Sequence, residues 1–125
     1  MTKILVAEDE RDIRELIAFT LRFAGFDVDL AMNGAEAVEK ALQTRPDLIL
    51  MDVRMPKMTG YEACAELKKT PEVRSIPVVF LSAKGQESEI HEGMSAGAAK
   101  YILKPFAPDE LIKQVKQILK EQAVT

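Results

Sequence analysis

The sequence predicts a single α/β domain built around a five-stranded parallel sheet. Its 125 residues suit one domain of ordinary size, and 47% of them are apolar, which is enough for a hydrophobic core. Short apolar runs alternate with stretches of helical periodicity, and this pattern predicts a strand followed by a helix, five times over. We therefore expect one domain over residues 1–125, with a core over 1–120 and a short tail over 121–125.

Five short apolar runs predict the strands. The runs are Ile4–Ala7, Val28–Ala31, Leu48–Met51, Val78–Leu81 and Tyr101–Leu103. Four of them are continuously apolar, which is typical of parallel strands covered by helices on both faces. Around the second run, residues 27–30 alternate between aspartate and an apolar residue, as in a half-exposed edge strand. With right-handed crossovers, this favours the doubly wound, flavodoxin-like (βα)5 fold with strand order 2-1-3-4-5.

Apolar residues spaced three and four apart predict the helices between the strands. The clearest stretches are Ile13–Ala24, which includes Leu16, then Val38–Leu42 and Leu111–Leu119. Turn-forming residues mark the helix limits, and these are Gly25, Asn33, Gly34, Gly60, Pro71 and Gly97, with Pro108 and Asp109 opening the last helix.

Composition and charge exclude several classes of protein. The net charge of −3 is spread evenly, and without a basic block we do not expect direct nucleic-acid binding. The longest apolar runs span four residues, far fewer than the roughly 20 of a membrane helix. The first strand follows Met1 almost at once, leaving no room for a signal peptide, so we expect a cytoplasmic protein. The single Cys64 cannot form an internal disulfide and is expected in the core.

Polar side chains cluster at the ends of four predicted strands. Glu8 and Asp9 follow the first run, Asp52 the third, Ser82 the fourth and Lys104 the fifth. Each residue alone has an ordinary explanation as a loop, cap or surface residue. Ligands of open α/β sheets bind beyond the carboxyl ends of the strands, and the four strands concerned would be neighbours. Their joint occurrence therefore predicts a functional site.

Three carboxylates and one ammonium point to phosphoryl chemistry. Each close carboxylate pair costs about 4 kcal/mol at an effective dielectric constant near 20, unless a cation or proton compensates. Mg²⁺ suits such an all-oxygen set and commonly accompanies phosphate. Asp52, on the central strand, is the best-placed nucleophile, with Ser82 and Lys104 available to a phosphoryl group. The predicted product is an aspartyl phosphate.

These residues resemble the receiver domain of two-component response regulators, over essentially the whole chain. The motifs that carry the resemblance are Glu8-Asp9 after Ile4–Ala7, the stretch Asp52–Pro56 with Gly60, the pair Ser82-Ala83, and Lys104-Pro105-Phe106. Two departures from the commonest pattern are Glu8, where aspartate is more frequent, and Ser82, where threonine is also common.

The resemblance implies a phosphoacceptor site. Asp52 would accept a phosphoryl group from the phosphohistidine of a sensor histidine kinase or phosphotransfer protein. Mg²⁺ would be held by Asp9, Asp52 and the backbone carbonyl of Arg54, with Glu8 acting mainly through metal-bound water. Lys104 would pair with the acceptor carboxylate or its phosphoryl group.

The resemblance also implies a conformational switch. Ser82 would move toward the phosphoryl group, Tyr101 would turn inward, and the peptide bond before Pro105 would be cis. Output would pass to a downstream effector through the face formed by the fourth helix, fifth strand and fifth helix (α4-β5-α5). Phosphorylation could drive dimerisation, although residues 98–100 lack the acidic pair that serves the dimer surface of winged-helix regulators.

Two alternative functions remain open at this point. A pseudo-receiver would bind partners without phosphorylation, although every expected chemical position is filled. A Mg²⁺-dependent phosphohydrolase with an aspartate nucleophile would need a second carboxylate two residues after Asp52, where Arg54 stands. We therefore expect a signalling domain and not an enzyme of metabolism. Whether the chain stands alone or comes from a longer regulator is left open by the residues.

Overall fold

Five parallel strands form one sheet in the order β2-β1-β3-β4-β5. The computed structural model describes residues 2–83, 100–104 and 106–124. The strands are β1 Lys3–Ala7, β2 Asp27–Ala31, β3 Leu48–Asp52, β4 Val78–Ala83 and β5 Lys100–Lys104. Four helices are described: α1 Arg11–Phe23, α2 Gly34–Thr44, α3 Gly60–Lys68 and a C-terminal helix Pro108–Val124. The predicted fold and strand order are confirmed.

Alternation along the strands divides the core into two layers. Ile4 and Val6 of β1 pack on one face of the sheet with α1 and the C-terminal helix, through residues such as Ile17 and Val115. Leu5 and Ala7 point to the other face, where α2 and α3 cover the sheet. Because both faces are buried, the inner strands are apolar along their length, as the sequence predicts.

The second strand lies at the edge of the sheet, as its polar alternation predicts. It pairs only with β1 among the described strands, in a parallel register that places Val28 beside Ile4 and Ala31 beside Ala7. Asp27 is exposed while Val28 is buried. One side of an edge strand has no neighbouring strand, and charged residues on it discourage pairing with another sheet.

Local signals account for the helix limits. Asn33 caps α2 by accepting a hydrogen bond from the backbone of Glu36 at 2.8 Å. Thr59 and Glu62 form a capping box at the start of α3. Gly25, just past the end of α1, has a φ of 96°, a left-handed conformation that glycine adopts without strain.

Several expectations differ in detail from the structure. The strands extend one or two residues beyond their apolar runs, and the C-terminal helix continues to Val124, through most of the stretch assigned to a tail. Leu16 and Leu42 have helical spacing but are exposed, at 54% and 37%. Each lies at the margin of its apolar stripe, where the helix has already turned away from the sheet.

Some expectations fall outside the described residues. These are the fourth predicted helix within residues 84–99, the residues 98 and 99 that precede β5, and the peptide bond at Pro105. Within the described part of the chain, no helix combines the length and apolar character needed to cross a membrane.

Candidate functional site

Lys104 connects three strand ends at the carboxyl edge of the sheet. Its Nζ lies 2.8 Å from Oε1 of Glu8 and 3.1 Å from Oδ1 of Asp52. Glu8 follows β1, while Asp52 and Lys104 are the last residues of β3 and β5. The lysine side chain therefore reaches past the end of β4 to both carboxylates, and it brings together three of the predicted site residues.

Glu8 is fully buried, and its charge is only partly compensated. Burial raises the pKa of the Glu8 carboxyl from its ordinary value of 4.5 to about 7. The hydrogen bond from Lys104 opposes this rise, and the nearby charge of Asp52 adds to it. One ammonium cannot neutralise two buried carboxylates, so Glu8 tends to keep its proton.

Lys104 is held in its charged form by these two acids. Burial alone would lower the pKa of the Lys104 ammonium, because charge is costly to remove from water. The hydrogen bond to Glu8 and the charge of Asp52 outweigh that effect, and the pKa of Lys104 is raised above its ordinary value. Lys104 is therefore a permanent cation beside Asp52 at neutral pH.

Asp9 completes a group of carboxylates suited to a hard cation. Glu8, Asp9 and Asp52 each offer an oxygen, and these atoms lie within 4.8 Å of one another. An all-oxygen donor set of this kind fits Mg²⁺. Unlike Glu8, Asp9 is exposed and faces an open cleft of about 420 Å³. The cleft is lined by Asp9, Glu10, Ile13, Asp52, Val53, Arg54 and Lys104.

The loop that carries the acidic pair is held by Arg14, a residue that the sequence analysis does not identify. Nη1 of Arg14 donates to the backbone carbonyls of Glu8 at 2.9 Å and Asp9 at 3.3 Å. The backbone N–H of Glu8 also donates a hydrogen bond to the backbone carbonyl of Ala31 in β2, at 3.0 Å. The only sequence signal for Arg14 is its position as a basic residue near the start of the helix that follows Glu8, Asp9 and Glu10.

The loop after Asp52 returns directly over that residue. The backbone N–H of Gly60 donates to the carbonyl of Val53 at 2.9 Å. A Cβ at Gly60 would lie 2.3 Å from the carbonyl oxygen of Asp52, which is too close for any side chain. The sequence marks Gly60 as a helix limit and as part of the receiver-like motif after Asp52, and the structure adds the reason: its missing side chain lets α3 begin against Asp52.

Ser82 and Tyr101 lie at different distances from the carboxyl edge of the sheet. Ser82 is buried in β4, one residue beyond Leu81, which pairs with Asp52. This register places Ser82 at the same edge as the acids. Tyr101 is the second residue of β5 and pairs with Phe80, further from that edge, and its hydroxyl donates to the hydroxyl of Tyr61 at 3.2 Å. Tyr61 is not identified by the sequence analysis.

Comparison with known proteins identifies one family over most of the chain. A family described as the response regulator receiver domain matches residues 4–116. The phosphate regulon transcriptional regulatory protein PhoB of Rhizobium meliloti is 38% identical over 120 residues, and the transcriptional regulatory protein ResD of Bacillus subtilis is 40% identical over 124. These matches cover 96% and 99% of the chain.

Solved structures show the same fold. The chemotaxis response regulator CheY4 of Vibrio cholerae is 34% identical, with a TM-score of 0.89, and the match covers 94% of this chain and 98% of that one. By contrast, the alignments cover 53% of PhoB and 50% of ResD. The chain therefore spans about half the length of these two curated relatives.

Proposed function

The chain belongs to the response regulator receiver domain family of two-component systems, and from that premise we propose that Asp52 is its phosphoryl acceptor. The observation that carries the proposal is the convergence of Lys104 on Asp52 and Glu8 beside the exposed Asp9. This arrangement supplies a carboxylate nucleophile, a fixed cation and an all-oxygen metal site within one small volume.

Asp52 has the properties of an in-line nucleophile. It is the last residue of the central strand and borders the cleft. In the proposed transfer, a carboxylate oxygen of Asp52 bonds to phosphorus while the nitrogen–phosphorus bond of a phosphohistidine breaks. Lys104 would then neutralise an oxygen of the phosphoryl group, and Ser82 would donate a hydrogen bond to another.

The acidic residues fit a single Mg²⁺ ion. We assign Asp9, Asp52 and the backbone carbonyl of Arg54 as direct ligands, with Glu8 acting through water. The ion would supply charge neutralisation for the phosphoryl oxygens during transfer. Burial of Glu8 against Lys104 leaves Asp9 as the acid of the pair that is open to the cleft.

The proposed role is signalling and not repeated turnover. Arg54 occupies the position two residues after the nucleophile and lines the cleft, so that position supplies no carboxylate to act as an acid and a base. Ser82 and Tyr101 would convert phosphorylation into a change on β5, in a two-state equilibrium. We further propose that residues 1–125 form one receiver domain, with Asp52 receiving its phosphoryl group from a sensor histidine kinase or phosphotransfer protein.

The output of the domain is proposed from its relatives. PhoB and ResD are named as transcriptional regulatory proteins and are about twice the matched length. We therefore propose that the receiver controls an effector, either attached or separate, through the surface that includes β5 and the C-terminal helix. Phosphorylation-dependent dimerisation is a further part of the proposal.

Intact-protein mass analysis after exposure to acetyl phosphate and Mg²⁺ tests the assignment. We expect one phosphoryl adduct that hydroxylamine removes, because an acyl phosphate is cleaved by that reagent. Asp52→Asn and a chelator should each abolish it, whereas Asp12→Asn, at an exposed acid of α1, should not. An adduct on Asp52→Asn, or none on the unaltered protein, would contradict the assignment, and the second result would favour a pseudo-receiver.

A further inference from the structure

Two tyrosines from distant parts of the chain share a hydrogen bond across the face of the sheet. The hydroxyl of Tyr101 on β5 donates to the hydroxyl of Tyr61 on α3, with 3.2 Å between the oxygens. The ring of Phe80 on β4 contacts both, at 5.0 Å from Tyr61 in an edge-to-face arrangement and 5.4 Å from Tyr101. The three rings therefore link α3 to β5 through β4.

Burial of the two tyrosines makes the hydrogen bond between them matter for the position of the Tyr101 ring. Tyr61 is 9% exposed, and Tyr101 is partly buried against the same core layer. Breaking a hydrogen bond between two partly buried hydroxyls is costly, so the bond favours one position of the Tyr101 ring over others. Phenylalanine at position 61 would retain the ring and remove the bond between the two hydroxyls.

The backbone connects Tyr61 to the proposed phosphoacceptor. Tyr61 follows Gly60, which lies against the carbonyl of Asp52 and bonds to Val53. Because no space remains between Gly60 and Asp52, the first turn of α3 cannot stay in place if the Asp52 backbone moves. A displacement at Asp52 would therefore shift the hydroxyl of Tyr61.

We propose that Tyr61 is a positioning residue of the switch, which couples the position of the Tyr101 ring to the backbone of Asp52. The inference rests on the proposed function, in which Tyr101 responds to phosphorylation of Asp52. The proposed coupling between Asp52 and Tyr101 passes through Tyr61 on the α3 side of the sheet. It is separate from the coupling through Ser82 on β4. Loss of the Tyr61 hydroxyl should alter the Tyr101 equilibrium and leave phosphorylation chemistry intact.

The composition of the chain allows a selective measurement. The sequence contains two tyrosines and no tryptophan. Incorporation of 3-fluorotyrosine therefore places ¹⁹F probes at Tyr61 and Tyr101 alone, and in Tyr61→Phe the single remaining signal belongs to Tyr101. The signal is recorded before and after phosphorylation by acetyl phosphate and Mg²⁺, and the adduct is quantified by mass on the same samples.

In Tyr61→Phe, we expect the ratio of Tyr101 ring positions to change by about threefold to tenfold, the usual effect of one net hydrogen bond on an equilibrium constant. The amount of phosphoryl adduct should stay the same. The control Ala65→Gly weakens the same helix but leaves both hydroxyls, and it should not change the ratio.

Two results would overturn the inference in distinguishable ways. A normal adduct with an unchanged Tyr101 ratio in Tyr61→Phe would refute the role of Tyr61 alone. A change of the same size in Ala65→Gly would show that helix stability, and not the hydroxyl, sets the ratio, which also refutes it. Absence of any adduct on the unaltered protein would refute the proposed function and, with it, the switch to which Tyr61 is assigned.

Discussion

Nζ of Lys104 lies 3.1 Å from Oδ1 of Asp52, although the two residues are 52 positions apart and their strands are separated by β4. The same ammonium contacts Glu8 at 2.8 Å. One cation thus serves two carboxylates, and among the described residues it is the only cation in an ion pair with Asp52 within 4 Å. The balance of charge among these three groups determines several measurable properties.

Replacement of Lys104 should weaken both stability and phosphoryl uptake. In Lys104→Met, the buried carboxyls of Glu8 and Asp52 lose their charged donor, and we expect the free energy of unfolding to fall by about 1–3 kcal/mol at pH 7. Urea denaturation measures this loss, and mass analysis measures a slower gain of the adduct. Lys116→Met, at an exposed position of the C-terminal helix, is the matched control and should change neither. Equal behaviour of the two variants would contradict the role of Lys104.

Glu8 should make stability depend on pH. The pKa of Glu8 is about 7 in the folded protein, against an ordinary value of 4.5. Between these values the folded state holds a proton that the unfolded chain has lost, so stability should fall as pH rises from 4.5 to 7, by up to about 3 kcal/mol, and change no further above that. Urea denaturation at pH 5 and pH 8 in a chelator measures the difference. In Glu8→Gln this decline should disappear; a slope unaffected by the substitution would exclude Glu8 as its source.

Replacement of either Gly60 or Gly34 by alanine should destabilise the protein, because the added methyl group would overpack the site. A Cβ at Gly60 would lie 2.3 Å from the Asp52 carbonyl, and one at Gly34 would lie 2.2 Å from the Met58 carbonyl. Backbone oxygens cannot rotate away, so each variant should lose about 1–3 kcal/mol in thermal or urea unfolding. Because only Gly60 touches the acceptor residue, Gly60→Ala should slow phosphoryl uptake more than Gly34→Ala. Retention of full stability by both would show that the loop yields easily.

The thiol of Cys64 should be unreactive in the folded state. It is fully buried on α3, and burial raises the pKa of the thiol, with a smaller opposing effect from the charge of Lys68. A disulfide reagent monitored by absorbance should react at least about 1,000-fold faster in denaturant than in native buffer, because reaction requires unfolding. The chain has one cysteine, so the signal is unambiguous. Rapid labelling in native buffer would show that the α3 face opens locally.

Exposed and buried phenylalanines should differ sharply in their contribution to stability. Phe19 and Phe23 stack on the outer face of α1 and are 70% and 82% exposed, whereas Phe80 is fully buried. We expect Phe19→Ser and Phe23→Ser each to change the free energy of unfolding by about 0.5 kcal/mol or less, and Phe80→Ala to cost about 3–5 kcal/mol. Urea denaturation of the three variants checks the contrast. A large loss in the α1 variants would mean that their rings are buried in solution.

Most of the fold follows from local patterns in the sequence. Continuous apolar runs identify the inner strands, the alternating aspartates of β2 identify an edge, and Asn33, Gly34 and Gly60 mark helix starts. These signals are short-range, because burial on one or both faces is imposed residue by residue along a strand or helix. Helical spacing does not locate the margins of the apolar stripes, because Leu16 and Leu42 fit the spacing and yet lie outside the core.

The sheet, its strand order and the polar residues at its carboxyl edge can therefore be predicted from local patterns in the chain. How those residues divide their roles becomes visible in the folded molecule: Glu8 is buried against Lys104, Asp9 is open to the cleft, and Tyr61 is bonded to Tyr101. Such contacts depend on strand register and on the reach of side chains from distant segments. Those are properties of the packed molecule, and no periodicity in the chain encodes them directly.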